Sequence, residues 1–299
     1  MKYMIGVDIG TTSTKSVLYD ENGQFIMKHN IGYDLHTPNV DVSEENPDDL
    51  FDAVLMTVKY IVRESGISKE DIKLISFSAQ MHSLVAMDAQ NKHLTENITW
   101  ADNRSSRYAD LIENEYNGFE IYQRTGTPLH PMSPLSKIFW MKHEQPAIYN
   151  QTAKFADIKT YIFYQLFDKY VIDYSMASAT GMFNLEQLDW DEKALILLGI
   201  SRDQLPELVP TTHILTGMKK RFAELMDIDE NTPVVVGASD GVLSNLGVNS
   251  YKKGEVAVTI GTSGAIRTVI NKPRTDYKGR IFCYVLDDEH YVIGGPVNN

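Results

Sequence analysis

The segment Asp8-Ile9-Gly10-Thr11-Thr12-Ser13-Thr14-Lys15 joins a carboxylate, a glycine, four hydroxyls and a cation within one short turn. Backbone N–H groups and hydroxyls in such a turn can surround phosphate oxygens, Lys15 can neutralise them, and Asp8 can hold Mg²⁺ directly or through water. Neither the Gly-x-x-x-x-Gly-Lys spacing of a P-loop nor the Gly-x-Gly-x-x-Gly of dinucleotide folds is present here. The plain alternative is an ordinary Gly-Thr hairpin with a solvated lysine.

A second segment, Gly237-Ala238-Ser239-Asp240-Gly241, supports two chemistries. It satisfies Gly-x-Ser-x-Gly between an apolar strand and a helix, which is the setting of a nucleophile elbow, with Asp287 or Asp288 and then His290 in the chain order of a triad. That reading makes the protein a serine hydrolase at Ser239 and leaves residues 8–15 without a task. In the other reading Asp240 ends a strand and accepts a substrate hydroxyl proton during phosphoryl transfer.

The elements that must position these residues follow from local patterning. Residues 3–8, 15–19 and 24–30 alternate as strands, with Gly10-Thr11 and Asn22-Gly23 as turns, which predicts three antiparallel strands. Asn46-Pro47 predicts a helix start, Leu50, Val54, Val58 and Ile61 keep helical spacing, and Gly66 closes the helix. Residues 72–78 form a further apolar strand, so the order βββαβ predicts an α/β sheet. Residues 105–167 read as mostly helical, with Tyr161, Phe163, Tyr164 and Phe167 as core. A boundary is expected near residue 236, with Val234 opening a strand of a second unit. Residues 9–13 and 260–264 echo each other as Ile-Gly-Thr turns between strand-like runs, which predicts two related hairpins facing one cleft.

Composition narrows the partners. With 299 residues, 43% hydrophobic and 23% charged, the chain is globular and long enough for about two domains. Lys plus Arg number 28 against 40 Asp plus Glu, a net charge of −12 that repels nucleic acid and anionic lipid. No apolar run approaches a membrane span, no leader opens the chain, and Cys283 is alone, so a reducing cytoplasm is expected. The eight histidines never fall four apart and no zinc spacing occurs. The acidic cluster Asp41, Glu44, Glu45, Asp48 and Asp49 reads as a solvated helix start.

These motifs resemble the FGGY carbohydrate kinases, members of the actin-like and hexokinase-like ATPase group, in the family's order. After residues 8–15 come Gln80-Met81-His82-Ser83 at the sugar site and Thr99-Trp100-Ala101-Asp102-Asn103-Arg104-Ser105, similar to the family's Trp-x-Asp-x-Arg segment. Pro134-Leu135-Ser136-Lys137-Ile138-Phe139-Trp140 resembles its first signature, residues 237–241 its catalytic aspartate, and Gly261-Thr262-Ser263-Gly264 its second phosphate loop. The resemblance implies a ribonuclease H-like α/β fold, ATP and Mg²⁺. Asp240 would be the general base, and Asp8 with Asp240 would be associated with the metal. Gly10, Thr11, Thr12, Ser13 and Lys15 would grip phosphate from one side, and residues 261–264 from the other.

Residues 98–105, 124–132 and 238–249 look most like the members that phosphorylate D-gluconate to 6-phosphogluconate; a pentulose such as xylulose is the runner-up. Met81, His82, Trp100 and Met132 correspond to positions lining the sugar end. The alternative for His82 is a core histidine bonded to backbone, and for Trp100 plain core. Arg104, with Lys137 and His130 behind it, is a candidate for the carboxylate, although Asp102 is an obvious ion-pair partner for Arg104. A non-catalytic actin-like nucleotide or sugar binder is a further reading, and a homodimer is left open. Family members continue past the second phosphate loop, so residues 1–236 are expected to be a first domain and 237–299 the opening of a second, with the adenine site elsewhere.

Overall fold

A computed structural model describes residues 1–252, 254–260 and 263–298. The opening alternation becomes three antiparallel strands, β1 (Tyr3–Ile9), β2 (Ser13–Asp20) and β3 (Phe25–Gly32). Ile5, Val7 and Ile9 on β1 and Thr14, Ser16 and Leu18 on β2 are buried. Because side chains alternate along a strand, Asp8 and Lys15, direct cross-strand partners, project from the other face.

Helix α1 (Pro47–Ser65) starts where the sequence predicts. The Asn46 side chain accepts the N–H groups of Asp48 and Asp49, proline occupies the first turn, and Gly66 ends the helix at φ 66°. Its stripe of Leu50, Val54, Val58 and Ile61 is buried in the main core. Ser16 Oγ donates to Thr57 Oγ1 at 2.9 Å, joining β2 to α1.

Strand β4 (Ile72–Ala79) lies parallel to β1, and two later strands, β5 (Ile214–Leu215) and β6 (Val234–Ser239), complete a six-stranded sheet of order β5-β6-β4-β1-β2-β3. Here the expected boundary is corrected. Residue 236 lies in the middle of β6, and β6 pairs in parallel with β4 of the first sheet. Val234 and Val236 are fully buried there. An apolar run announces a buried strand, but the choice of sheet depends on long-range pairing.

Helix α2 (Pro134–Glu144) packs against other helices of the same core, while α3 (Ile158–Phe167), α4 (Tyr174–Ser178) and α5 (Asp240–Gly247) pack against this sheet. Tyr161, Phe163 and Phe167 are core as expected, with Tyr164 partly buried. A second, antiparallel sheet follows, of order β7-β8-β10-β9, from β7 (Val256–Ile260), β8 (Ser263–Ile270), β9 (Phe282–Val285) and β10 (Tyr291–Asn298). Val269, Tyr284 and Val292 on its inner face pack with Ala179 and with Val242 of α5. Val256, Val258, Ile260 and Ile266 are exposed on its outer face. The two hairpins β1–β2 and β7–β8 are both antiparallel, as the echo predicts. Among the described residues no helix is long and apolar enough to cross a membrane.

Candidate active site

Three parallel strands end at one edge. Ile9 of β1 is in register with Ala79 of β4, and Ala79 with Ser239 of β6, so Gly10, Gln80 and Asp240 emerge side by side. The crevice beyond the carboxyl ends of parallel strands is the usual ligand site of α/β sheets. Asp240 is aimed by a bulge: pairing of β6 with β4 jumps from Val235 to Ala238, with Gly237 at φ 67° between them. A Cβ on Gly237 would stand 1.8 Å from the Phe77 carbonyl oxygen, so glycine is required by space as well as by conformation.

Asp240 opens α5 and accepts the Gly241 N–H at 2.7 Å. Its side chain meets water on one side and is crowded by protein on the others. Desolvation pushes its carboxyl up to about 6, and the Asp8 carboxylate adds to the rise, while Gly241, Arg267 and the Met81 backbone oppose it. The structure therefore brings Asp8 and Asp240 to one site. It corrects the expected placement of Asp240 across the cleft on a second unit: both carboxylates stand on the same sheet.

The first turn is held from several directions. Gly10 N–H donates to Ser13 O at 3.1 Å, Tyr33 N–H to Thr12 O at 3.3 Å, and the Tyr33 hydroxyl to Gly10 O. Thr11 Oγ1 accepts Trp100 Nε1–H at 2.9 Å and donates to Gln80 Oε1 at 3.1 Å. Gln80 Nε2 and Asn97 Nδ2 each donate to Glu45 Oε2 at 2.7 Å. Glu45 is thus no part of a solvated cluster: it is 1% exposed, and burial pushes its carboxyl up to about 7. The glutamate lies at the foot of the turn because β-bridging of residues 44–45 to 97–98 draws it inward. Lys15 stands exposed on the Asp8 face. Gly261 and Thr262 of the second loop lie outside the described residues; the Ser263 and Gly264 backbones open β8, paired with Asn298 and Val297.

At the expected sugar end, Met81 packs against the second core and its Sδ–Cε end lies over Gly241. His82, at φ 66°, is buried, donates from Nδ1 to Ala179 O at 2.7 Å, and turns Nε2 to the Tyr284 hydroxyl at 3.4 Å. Burial holds its pKa down at about 3, so the ring is neutral. Both readings of His82 meet here: it is bonded to backbone, and it stands beside Met81. Trp100 is 43% exposed and is not core. Met132 lies in a loop where its N–H donates to His130 Nδ1 at 3.1 Å.

The carboxylate candidates read from sequence are already engaged. Arg104 pairs with Asp102 and Glu44 and lies over the Trp140 ring, so the expected substrate role is corrected to an internal clasp. Lys137 is fully buried and donates to the carbonyls of His82, Ile98 and Thr99 at 2.6, 3.2 and 2.7 Å, which uses all three of its protons. The hydrolase reading also fails. Ser239 is fully buried in extended backbone with its hydroxyl 3.0 Å from Ser175 Oγ, while His290 Nδ1 pairs with Asp287 of its own turn. Sequence reasoning missed Glu45 and also Arg267, an inward position between Ala265 and Val269 on β8 whose only sequence signal is strand alternation.

A mixed six-stranded sheet with Asp8 and Asp240 at its parallel strand ends, and a second sheet set beside it, has the actin- and hexokinase-like ATPase fold. The model of the FGGY family of carbohydrate kinases, N-terminal domain, matches residues 3–247. The chain belongs to the FGGY family.

It is 59% identical over 297 residues to a gluconokinase of Bacillus subtilis and 57% to one of Bacillus licheniformis, each match spanning 99% of this chain and 58% of the relative. Identity to a xylulose kinase of Bacillus subtilis is 28%, spanning 98% of this chain and 59% of the relative. A gluconate kinase structure from Lactobacillus acidophilus superposes with a TM-score of 0.96 at 40% identity, covering all of this chain and 60% of that one. A structure described as a ligand-bound xylulose kinase of the same organism matches equally well. The chain thus spans about three fifths of the length of the relatives it matches.

Proposed function

We propose that this chain carries the acceptor site and first phosphate turn of an ATP-dependent kinase that converts D-gluconate to 6-phosphogluconate. The observation behind the reading is the nearness of the Asp240 and Asp8 carboxylates at the parallel strand ends, in a chain 59% identical to a gluconokinase. The C6 hydroxyl oxygen would attack the γ-phosphorus as its proton passes to an Asp240 carboxylate oxygen, and ADP would leave. A base whose pKa is about 6 is ionised near neutrality yet basic enough to take that proton as the bond forms. Thr11, Thr12 and Lys15 would hold phosphate oxygens, with Gly10 and Ser13 setting the turn.

Mg²⁺ fits this donor set. Asp8, whose charge is felt by Asp240, would with it offer hard carboxylate oxygens and leave the other positions to phosphate and water. When bound, the ion supplies neutralisation of charge on the transferring phosphoryl group. Residues 261–264 belong to the reading as the opposing phosphate loop. The family match over residues 3–247 and the pairing of β6 with β4 support a first unit that runs past residue 236.

ADP release measured with Mg·ATP over gluconate, xylulose and glycerol tests the substrate. Gluconate is expected to give the highest kcat/KM. Equal or faster turnover of xylulose would replace the gluconate reading with a pentulose kinase, the runner-up that the second Lactobacillus structure favours.

A further inference from the structure

We propose that Arg267 anchors the carboxylate of the acceptor and so makes the site selective for a sugar acid over a neutral sugar. The inference rests on the kinase reading above and names the residue that sets its substrate class. A sugar acid needs a fixed cation in a cleft of an otherwise acidic protein, and each candidate from the sequence is engaged elsewhere: Arg104 by two carboxylates, Lys137 by three carbonyls, and His130 as an acceptor from Met132 N–H.

Arg267 differs in every respect that matters. It projects from the inner face of β8, where Ala265 and Val269 on either side are buried. Its Nη2 lies 3.6 Å from the Cβ position of Gly241, next to Asp240, and Asp240 and Tyr284 both feel its charge. Tyr284 in turn meets His82, so the guanidinium borders the expected sugar end. Nη1 donates to Thr259 Oγ1 at 3.1 Å, which orients the guanidinium without neutralising it. Among the described residues Arg267 forms no ion pair. Gly294 on the neighbouring strand gives the side chain its room, since a Cβ there would stand 3.2 Å from Arg267 Cγ.

Arg267 and Asp240 are therefore close enough to interact and too far apart to pair. In this proposal the reactive hydroxyl of an open-chain sugar acid stands at Asp240 and its carboxylate on the guanidinium, where a planar donor fork matches a carboxylate. The γ-phosphate is the other anion that could use this cation, and the test separates the two.

Arg267→Met and Arg267→Lys would be made in the full-length protein, with gluconate and ATP saturation curves and thermal melts for each. The methionine variant is expected to raise the gluconate KM about 100-fold while the ATP KM moves less than threefold, and the lysine variant to recover about tenfold. An unchanged gluconate KM, or an ATP KM that rises in step, overturns the proposal. Should Arg267→Met melt far below the unmodified protein, Arg267→Lys decides alone, with a gluconate KM about tenfold above normal and ATP unchanged expected, and no change refuting. Failure of the unmodified protein to phosphorylate gluconate refutes the substrate reading itself; normal gluconate turnover with an unchanged KM in the variants refutes only Arg267.

Discussion

The indole Nε1–H of Trp100 donates to Thr11 Oγ1 at 2.9 Å, linking the segment expected at the sugar end to the turn expected at the phosphate. Thr11 passes the connection through Gln80 to the buried Glu45. A hydrogen bond of this kind contributes about 1 kcal/mol, and the two halves of the site share it. Trp100→Phe removes the donor and keeps the ring. We expect the ATP KM to rise roughly fivefold in Trp100→Phe and in Thr11→Val, with the double variant little worse than either single one. Fully additive effects in the double-mutant cycle would show that the bond does not couple the two segments.

Asp240→Asn keeps the shape of the side chain and removes its basicity. The kcat should fall about 10³-fold, while gluconate affinity measured by calorimetry stays within a few-fold. In the unmodified protein, protonation of a base with a pKa of about 6 disables it, so kcat/KM should fall below that pH and level off above it. Asp240→Asn activity within tenfold of normal would exclude Asp240 as the base.

Glu45 makes stability depend on pH in a direction opposite to most surface carboxylates. Burial raises its folded pKa to about 7 from the ordinary 4.5 of a free glutamate, so between those values the folded state holds the extra proton and stability falls as pH rises. The shift corresponds to about 3 kcal/mol. Glu45→Gln removes the titration and keeps an oxygen acceptor. The Tm of the variant relative to the unmodified protein should be more favourable at pH 8 than at pH 5; equal differences at the two pH values would mean that Glu45 is not the titrating group.

Gly237→Ala places a Cβ 1.8 Å from a backbone oxygen at positive φ, where neither neighbour can yield cheaply. A loss of about 3 kcal/mol or more is expected, enough to lower Tm by roughly 5 °C or more. Residual activity should fall as well, because the bulge aims Asp240. A melt unchanged from the unmodified protein would show that β6 can relax around the bulge.

Much of this site lay within short stretches of chain. Asn46, Pro47 and Gly66 bracket α1 by local capping chemistry, the alternation of residues 3–20 forms the first hairpin, and Asp8 with Lys15 on one face follows from a period of two. The motif order also identified the family and pointed to Asp240, whose role as base is the proposal made above. These features depend on neighbours a few residues away, which is why a linear reading reaches them.

Partnership across the sheet was decided elsewhere. The pairing of β6 with β4 set Asp240 beside Asp8, and the bridge at residues 44–45 turned Glu45 from an apparent surface acid into a buried one. The same long-range packing engaged Arg104 and Lys137 within the protein and set Arg267 on the inner face of β8 beside Gly241. Composition and spacing determine which groups a chain possesses, whereas burial and charge partnership arise from segments tens to hundreds of residues apart. Those contacts, absent from any local window, decide which cation stays available to a substrate.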